Sequence, residues 1–216
     1  MEIENQFVRA LKSYTLSSHR AWEKPNSESV LKLDWNEATI PPSPNVLRSV
    51  KRALDDHSLN WYPNVNNKDL NRKIAAYSEV SPSQVLYFPG SDTIHEYIAK
   101  AFINTKDIVL IISPTYDNFR ATIQSVGGEV QYYQLEGDFT LNVNKLRKCI
   151  NNSIPKLVYI VNPNNPTGTF IDISIIEKLA SEYVDTLFLI DEAYFEFIQK
   201  SAAILVNEYV NILITR

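Results

Sequence analysis

The chain has 216 residues, of which 44% are hydrophobic and 21% charged, as is ordinary for a globular protein. This composition excludes a disordered chain, a collagen-like repeat and a coiled coil. The 21 basic and 25 acidic residues give a net charge of −4. That balance argues against general nucleic-acid binding, because neutralising phosphates requires a basic surplus.

The cysteine content and the apolar runs bear on the cellular compartment. The single cysteine, Cys149, excludes an internal disulfide, and the amino terminus shows no signal-peptide pattern. Both observations favour a reducing, cytoplasmic compartment. The most apolar runs, at residues 108–112 and 187–190, are too short to span a bilayer, so no membrane partner is expected.

Several common catalytic and binding motifs are missing. The five glycines form neither GxGxxG nor GxxxxGK[ST], the two commonest glycine-rich phosphate loops. HExxH, CxxC and GxSxG are also absent. The three histidines are too scattered to predict a metal site, and each is expected to be an ordinary surface or half-buried residue: His19, His57 and His95.

The first 60 residues are predicted to be largely irregular, because four prolines interrupt them. One helix is predicted after Pro44, where Val46, Leu47, Val50 and Leu54 recur with the helical period. A second helix is predicted over residues 68–78.

From residue 85 onward, short apolar runs alternate with helical stretches. Strands are predicted at 85–88, 108–112, 129–134, 157–161, 187–190 and 212–215. Helices are predicted at 94–103, 118–126, 143–149 and 173–183. This alternation predicts an α/β fold in which a mainly parallel sheet carries helices on both faces. Ligands of such sheets bind beyond the carboxyl ends of the strands, so the segments that follow the runs are candidate sites.

The first candidate segment is a strand end followed directly by a helix. Gly90 permits a tight turn there, and the Ser91 hydroxyl with the free N–H groups of the helix start predicts an anion site. The alternative is an ordinary helix cap, since Ser91 and Asp92 are favoured at that position in any protein.

Two further segments are polar where a buried strand ends. NPNNPTG at residues 162–168 is predicted to be a rigid turn from which Asn165 could present its amide to a ligand. The alternative is a loop whose residues serve only to form the turn. Asp191 follows four apolar residues, and burying its carboxylate without a partner would be costly. We therefore expect Asp191 to meet a cation, a metal or a protonated heterocycle, the alternative being a helix cap.

Four motifs follow one another along the chain: GSD at 90–92, SPTY at 113–116, NPNNPTG at 162–168 and DEAYFEF at 191–197. They strongly resemble the pyridoxal-phosphate aminotransferases of fold type I, in particular the histidinol-phosphate aminotransferase branch. Asn36-Glu37 and Trp61-Tyr62-Pro63 resemble amino-terminal signatures of that branch, so the resemblance covers about residues 30–216. It implies that residues 61–216 form part of the cofactor-binding large domain and residues 1–60 an arm with part of the small domain.

The resemblance implies pyridoxal 5'-phosphate as cofactor and a role for each matched residue. Asp191 would pair with the pyridine nitrogen and keep it protonated, so that the ring can accept electrons from the substrate carbon. Tyr194 and Asn165 would bind the phenolic oxygen of the ring, and Tyr116 would stack on its face.

Further roles concern the phosphate, the substrate and a second subunit. Gly90, Ser91 and Asp92 match the phosphate-binding turn. Tyr62 matches a tyrosine that reaches the cofactor phosphate of the partner subunit, which implies a homodimer. Asn36 is the candidate substrate residue. The implied substrates are an amino acid or amino-alcohol phosphate and a 2-oxo acid.

The sequence departs from the family at its end. The lysine that forms the Schiff base with the cofactor would follow Arg216, and neither Lys178 nor Lys200 stands at that position. The sequence therefore predicts an incomplete large domain. Two alternatives to an aminotransferase stay open: a catalytically inert homologue that acts only as a binding partner, and a phosphate-ester amino acid decarboxylase of the same family.

Overall fold

The computed structural model describes residues 3–12, 31, 33, 35–56 and 59–216. The chain divides into two compact units, residues 13–68 and a larger unit of residues 1–12 and 69–216. Among the described residues before position 60, two α-helices occur: α1 (Gln6–Arg9), in the larger unit, and α2 (Pro44–Asp56), in the smaller. The helix predicted after Pro44 is thus confirmed, but its apolar residues Val46, Leu47, Val50 and Leu54 remain exposed.

Six further helices and five strands follow, all in the larger unit except for Lys68, the first residue of α3. The helices are α3 (Lys68–Ser78), α4 (Ser91–Phe102), α5 (Asn118–Ser125), α6 (Val143–Ser153), α7 (Ile173–Glu182) and α8 (Phe195–Ile198). The strands are β1 (Ile108–Ser113), β2 (Glu129–Gln134), β3 (Leu157–Val161), β4 (Leu187–Asp191) and β5 (Ile212–Thr215). Two short 3-10 helices, Pro82–Gln84 and Ala202–Asn207, complete the described elements.

All five strands run parallel in one sheet, in the order β2-β1-β3-β4-β5. On one face, Leu110 and Val158 pack against apolar residues of α6 and α7. On the other face, Ile111 and Tyr159 pack against α4 and α5. Successive strand residues point to opposite faces, so strands covered on both sides need continuous apolar runs. The predicted α/β fold with a parallel sheet between two helical layers is confirmed.

The strand predicted at residues 85–88 is wrong. Val85 has extended backbone angles, but the segment between the Pro82–Gln84 turn and α4 is paired with no strand. A strand exists only through hydrogen bonds to a neighbour. Among the described residues, no strand lies beside this segment, so an apolar run alone was an insufficient signal.

The described part of the chain contains neither a candidate membrane-spanning helix nor a candidate metal site. None of its helices combines the length and the apolar character needed to cross a membrane. None of its groups of histidine, cysteine, aspartate and glutamate side chains could hold a metal ion.

Candidate active site

The parallel sheet gathers the predicted polar segments at one edge. β3 ends at Val161 and β4 at Asp191, and these two residues are register partners. Asp191 is also the partner of Thr215, the last residue of β5. The NPNNPTG and DEAY motifs therefore begin side by side, at the edge where ligands of parallel sheets bind.

Asp191 is buried, with only 3% of its surface exposed, as its position after an apolar run predicted. The Tyr159 hydroxyl donates a hydrogen bond of 2.8 Å to Oδ2, and the Ala193 N–H donates one of 3.1 Å to Oδ1. Nε2 of His95 lies 3.5 Å from the same Oδ2. The helix-cap alternative does not explain this arrangement, because α8 begins at Phe195 and its N-cap residue is Tyr194.

Tyr159 is a site residue that the sequence analysis missed. Burial raises the pKa of its phenol well above the ordinary value, and the neighbouring Asp191 charge raises that pKa further. The phenol consequently stays protonated and acts as a donor to the carboxylate. Nothing in the run LVYIV distinguished this tyrosine from the eleven others, except that a polar tip lies in a fully apolar strand.

Gly90 forms the turn before α4. Its φ of 92° lies in the region that glycine adopts without strain. The N-cap residue of α4 is Gly90, which has no side chain with which to cap the helix. The alternative in which Ser91 or Asp92 is the helix cap is therefore not supported. The first N–H groups of a helix have no partner within it, which leaves this turn suited to an anion.

Tyr116 connects two of the predicted segments. Its hydroxyl donates a 3.1 Å hydrogen bond to Oδ1 of Asp92, in the first turn of α4. This contact holds the Asp92 side chain against Tyr116, and the role of Asp92 toward a phosphate stays a prediction.

The NPNNPTG loop is fixed to the loop that follows β1. Thr115 donates a 2.7 Å hydrogen bond to Oδ1 of Asn164, and the Asn164 amide donates to the Pro114 carbonyl at 2.9 Å. The neighbouring Asn165 amide lies 3.5 Å from the Tyr194 hydroxyl. The structure thus brings together the two side chains predicted to share one oxygen of the cofactor. Asn164 was not predicted, although its motif was.

Glu192 is a second buried carboxylate, and its role also escaped the sequence analysis. Its side chain accepts hydrogen bonds from the Ser201 hydroxyl at 2.7 Å, the Ala202 N–H at 2.7 Å and Arg216 Nε at 3.1 Å. The Arg216 guanidinium also lies 3.9 Å from the centre of the Phe195 ring. These contacts join the end of β5 to the segment after β4 and so fix the segment that carries Tyr194.

Two predicted site residues belong to the other unit. Asn36 and Tyr62 lie in residues 13–68, and the side chain of Tyr62 is fully exposed. Their roles toward substrate and cofactor stay predictions. The prediction of a surface or half-buried position is wrong for His95, which is only 1% exposed. His19 and His57 lie outside the described residues.

The sequence model of the family described as aminotransferase class I and II matches residues 28–216. The chain belongs to this family. The family predicted from the motifs is thereby confirmed. The fold is similar to that of a histidinol-phosphate aminotransferase of Sinorhizobium meliloti, which was solved with pyridoxal-5'-phosphate. The TM-score is 0.85, and the match covers 99% of this chain and 58% of the Sinorhizobium chain. The sequence identity is 20%, so this similarity shows the fold alone.

Curated relatives of this aminotransferase-family chain carry two different names. A dihydroxyacetone phosphate transaminase of Campylobacter jejuni is 43% identical over 213 residues, which is 98% of this chain and 58% of the relative. A histidinol-phosphate aminotransferase of Clostridium acetobutylicum is 30% identical over 98% of this chain and 57% of the relative. The chain therefore spans under two thirds of the length of either relative.

Proposed function

We propose that this chain forms the cofactor-binding part of a pyridoxal-phosphate-dependent aminotransferase. The observation that carries the proposal is Asp191, a buried carboxylate at the strand edge whose Oδ1 accepts one backbone hydrogen bond. Each carboxylate oxygen has two acceptor sites, so Oδ1 retains one for a ligand N–H. A protonated pyridine nitrogen would supply both that N–H and the compensating charge.

The residues around Asp191 fit the rest of this cofactor. The turn at residues 90–92 suits its phosphate, the Asn165 and Tyr194 pair suits its phenolic oxygen, and Tyr116 offers an aromatic face. When bound, the cofactor supplies a ring that withdraws electrons from the carbon that bears the amino group. The protein residues hold that ring in one orientation and maintain its positive charge.

The substrate class follows from what the two named substrates share. Histidinol phosphate and dihydroxyacetone phosphate each carry an amino or oxo group on the carbon beside a phosphate-ester CH₂. We propose an amino-alcohol phosphate, or the matching phosphorylated ketone, as one substrate and an amino acid with its 2-oxo acid as the other. The 43% identity to the Campylobacter transaminase favours dihydroxyacetone phosphate, and it also favours transamination over decarboxylation.

A chimera tests the activity. Residues 1–216 would be joined to the part of the Campylobacter transaminase beyond its aligned 213 residues. We expect the chimera to transfer amino groups from an amino acid donor to dihydroxyacetone phosphate, with slower turnover of the histidinol phosphate ketone. The native Campylobacter enzyme is the control. A well-folded chimera that binds pyridoxal phosphate but transaminates neither phosphorylated ketone would contradict the proposed substrate class.

The chain alone should bind pyridoxal phosphate reversibly, without a covalent anchor. Lys178 lies in α7, and Lys200 lies over the Phe170 ring with its Nζ 5.7 Å from the ring centre. Neither lysine follows β5, where the family forms its Schiff base. We therefore expect borohydride to trap no Schiff base on a specific lysine of the loaded chain, as measured by peptide mass spectrometry. One stoichiometrically modified lysine would reveal a different anchor.

We further propose that the complete site is shared between two subunits and that the protein is cytoplasmic. The homodimer is supported by Trp61 and Tyr62, large aromatic side chains that are 76% and 100% exposed. Aromatic residues are enriched in subunit interfaces. The cytoplasmic location is supported by the single cysteine.

Light scattering on the purified chain tests the association. The outer edges of β2 and β5 are unpaired among the described strands, and apolar side chains such as Leu86 and Val210 are exposed. Unpaired strand edges and exposed apolar patches promote association. We expect the mean mass to rise with protein concentration and the rise to weaken in a Trp61→Ser, Tyr62→Ser variant. A monomer at every concentration would contradict the shared site.

A further inference from the structure

His95 is a buried polar side chain that the proposed function has not used. It lies on α4, packed between the rings of Phe119 and Tyr159 at centroid distances of 4.9 and 5.6 Å. Both imidazole nitrogens are buried, and neither has a hydrogen-bond partner of normal geometry among the residues that the structure describes. Buried polar groups in native proteins almost always have partners, so an unpartnered one requires an explanation.

The imidazole is directed at one oxygen of one carboxylate. Nε2 lies 3.5 Å from Oδ2 of Asp191, just beyond the usual length of an N–H···O hydrogen bond. Oδ2 is also the oxygen that accepts the 2.8 Å bond from Tyr159. Two side chains therefore converge on Oδ2, whereas in the described part of the chain Oδ1 accepts one hydrogen bond, from the Ala193 N–H. This asymmetry leaves Oδ1 as the oxygen available to a ligand.

We propose that His95 is a positioning residue that donates its Nε2–H to Oδ2 of Asp191 and thereby directs Oδ1 toward the pyridine nitrogen. The inference rests on the proposed function and adds a residue to that site. The 3.5 Å separation exceeds the usual N–H···O length by only about 0.3 Å, so a small shift of the imidazole would complete the bond.

The position of His95 on α4 couples two parts of the site. The helix begins at Ser91, directly after the Gly90 turn, and residue 95 follows Ser91 by about one helical turn. The same rigid element thus presents N–H groups to the phosphate at its start and a donor to the ring-binding aspartate one turn later. Binding of the phosphate and alignment of Asp191 are consequently properties of one helix.

Two substitutions separate positioning from packing. His95→Phe keeps a ring of similar size but removes the donor, and His95→Gln keeps an N–H donor near the position of Nε2. The ligands are pyridoxal phosphate and its 1-deaza analogue, in which carbon replaces the ring nitrogen. We expect His95→Phe to weaken binding of pyridoxal phosphate about tenfold and leave the affinity for the analogue unchanged. His95→Gln should restore most of the affinity.

If the His95→Phe variant binds pyridoxal phosphate as tightly as the unmodified chain, or loses affinity for both ligands equally, His95 does not position Asp191. Asp191→Asn reports on the proposed function separately, because it should abolish the preference for pyridoxal phosphate over the analogue. If the unmodified chain shows no such preference, the assigned role of Asp191 fails instead.

The tautomer of His95 provides a readout that requires no ligand. In two-bond ¹H–¹⁵N correlation spectra of the ¹⁵N-histidine-labelled chain, we expect Nε2 of His95 to carry a hydrogen. The resonance would be assigned by its loss in His95→Gln and should move in Asp191→Asn. A spectrum in which Nε2 carries no hydrogen would refute the proposed bond, even if His95→Phe did not fold.

Discussion

Asp191→Asn should lower turnover of the chimeric aminotransferase by about 10²–10³-fold, the effect expected for one preorganised electrostatic contact. Asparagine has nearly the same shape and can still accept the hydrogen bond from Tyr159. It lacks the negative charge that would keep the pyridine nitrogen protonated. The loss should therefore appear in kcat with pyridoxal phosphate at saturation, measured by steady-state kinetics.

The control for this substitution is Asp172→Asn. Asp172 is an exposed N-cap residue of α7 whose carboxylate accepts the Ser174 N–H, and asparagine caps helices about as well as aspartate. Its variant should keep the parent turnover. A turnover of Asp191→Asn within a factor of about three of the parent would mean that Asp191 has only a structural role.

Glu192→Ala should destabilise the chain by about 3–5 kcal/mol, the cost of leaving one partner of a buried ion pair alone. The Glu192 side chain is fully buried and that of Arg216 is 17% exposed. Removing the carboxylate leaves Arg216 Nε, the Ser201 hydroxyl and the Ala202 N–H without their acceptor. The free energy of unfolding would be measured by urea denaturation followed by circular dichroism.

Glu96→Ala is the matched control. Glu96 pairs with Lys100 on the surface of α4, at 3.2 Å with both side chains more than half exposed. An exposed pair of this kind contributes about 0.2–1 kcal/mol, because water screens it. Equal losses for the two variants would show that the Glu192 cluster does not fix the segment after β4.

The local pattern of the sequence determined most of the fold. The run LVYIV predicted β3 because a strand with sheet neighbours on both sides and helices on both faces needs apolar residues at every position. The same reasoning failed at residues 85–88, because pairing depends on a distant segment and not on the run itself. Helix α4 begins at Ser91, three residues before the predicted start, because Gly90 provides the N-cap position.

For the candidate site, the sequence alone determined which residue types stand at the strand ends, and from them the family. Only the tertiary structure decided which side chains meet. Tyr159 and His95 converge on Asp191 from β3 and α4, and such contacts depend on strand register and helix packing across the sheet. His95 was expected to be at the surface or half-buried, although it shares a helical face with the apolar Ile98 and Ala99. A histidine on an apolar face is buried with that face, and the partner it then meets is set by the sheet beneath it.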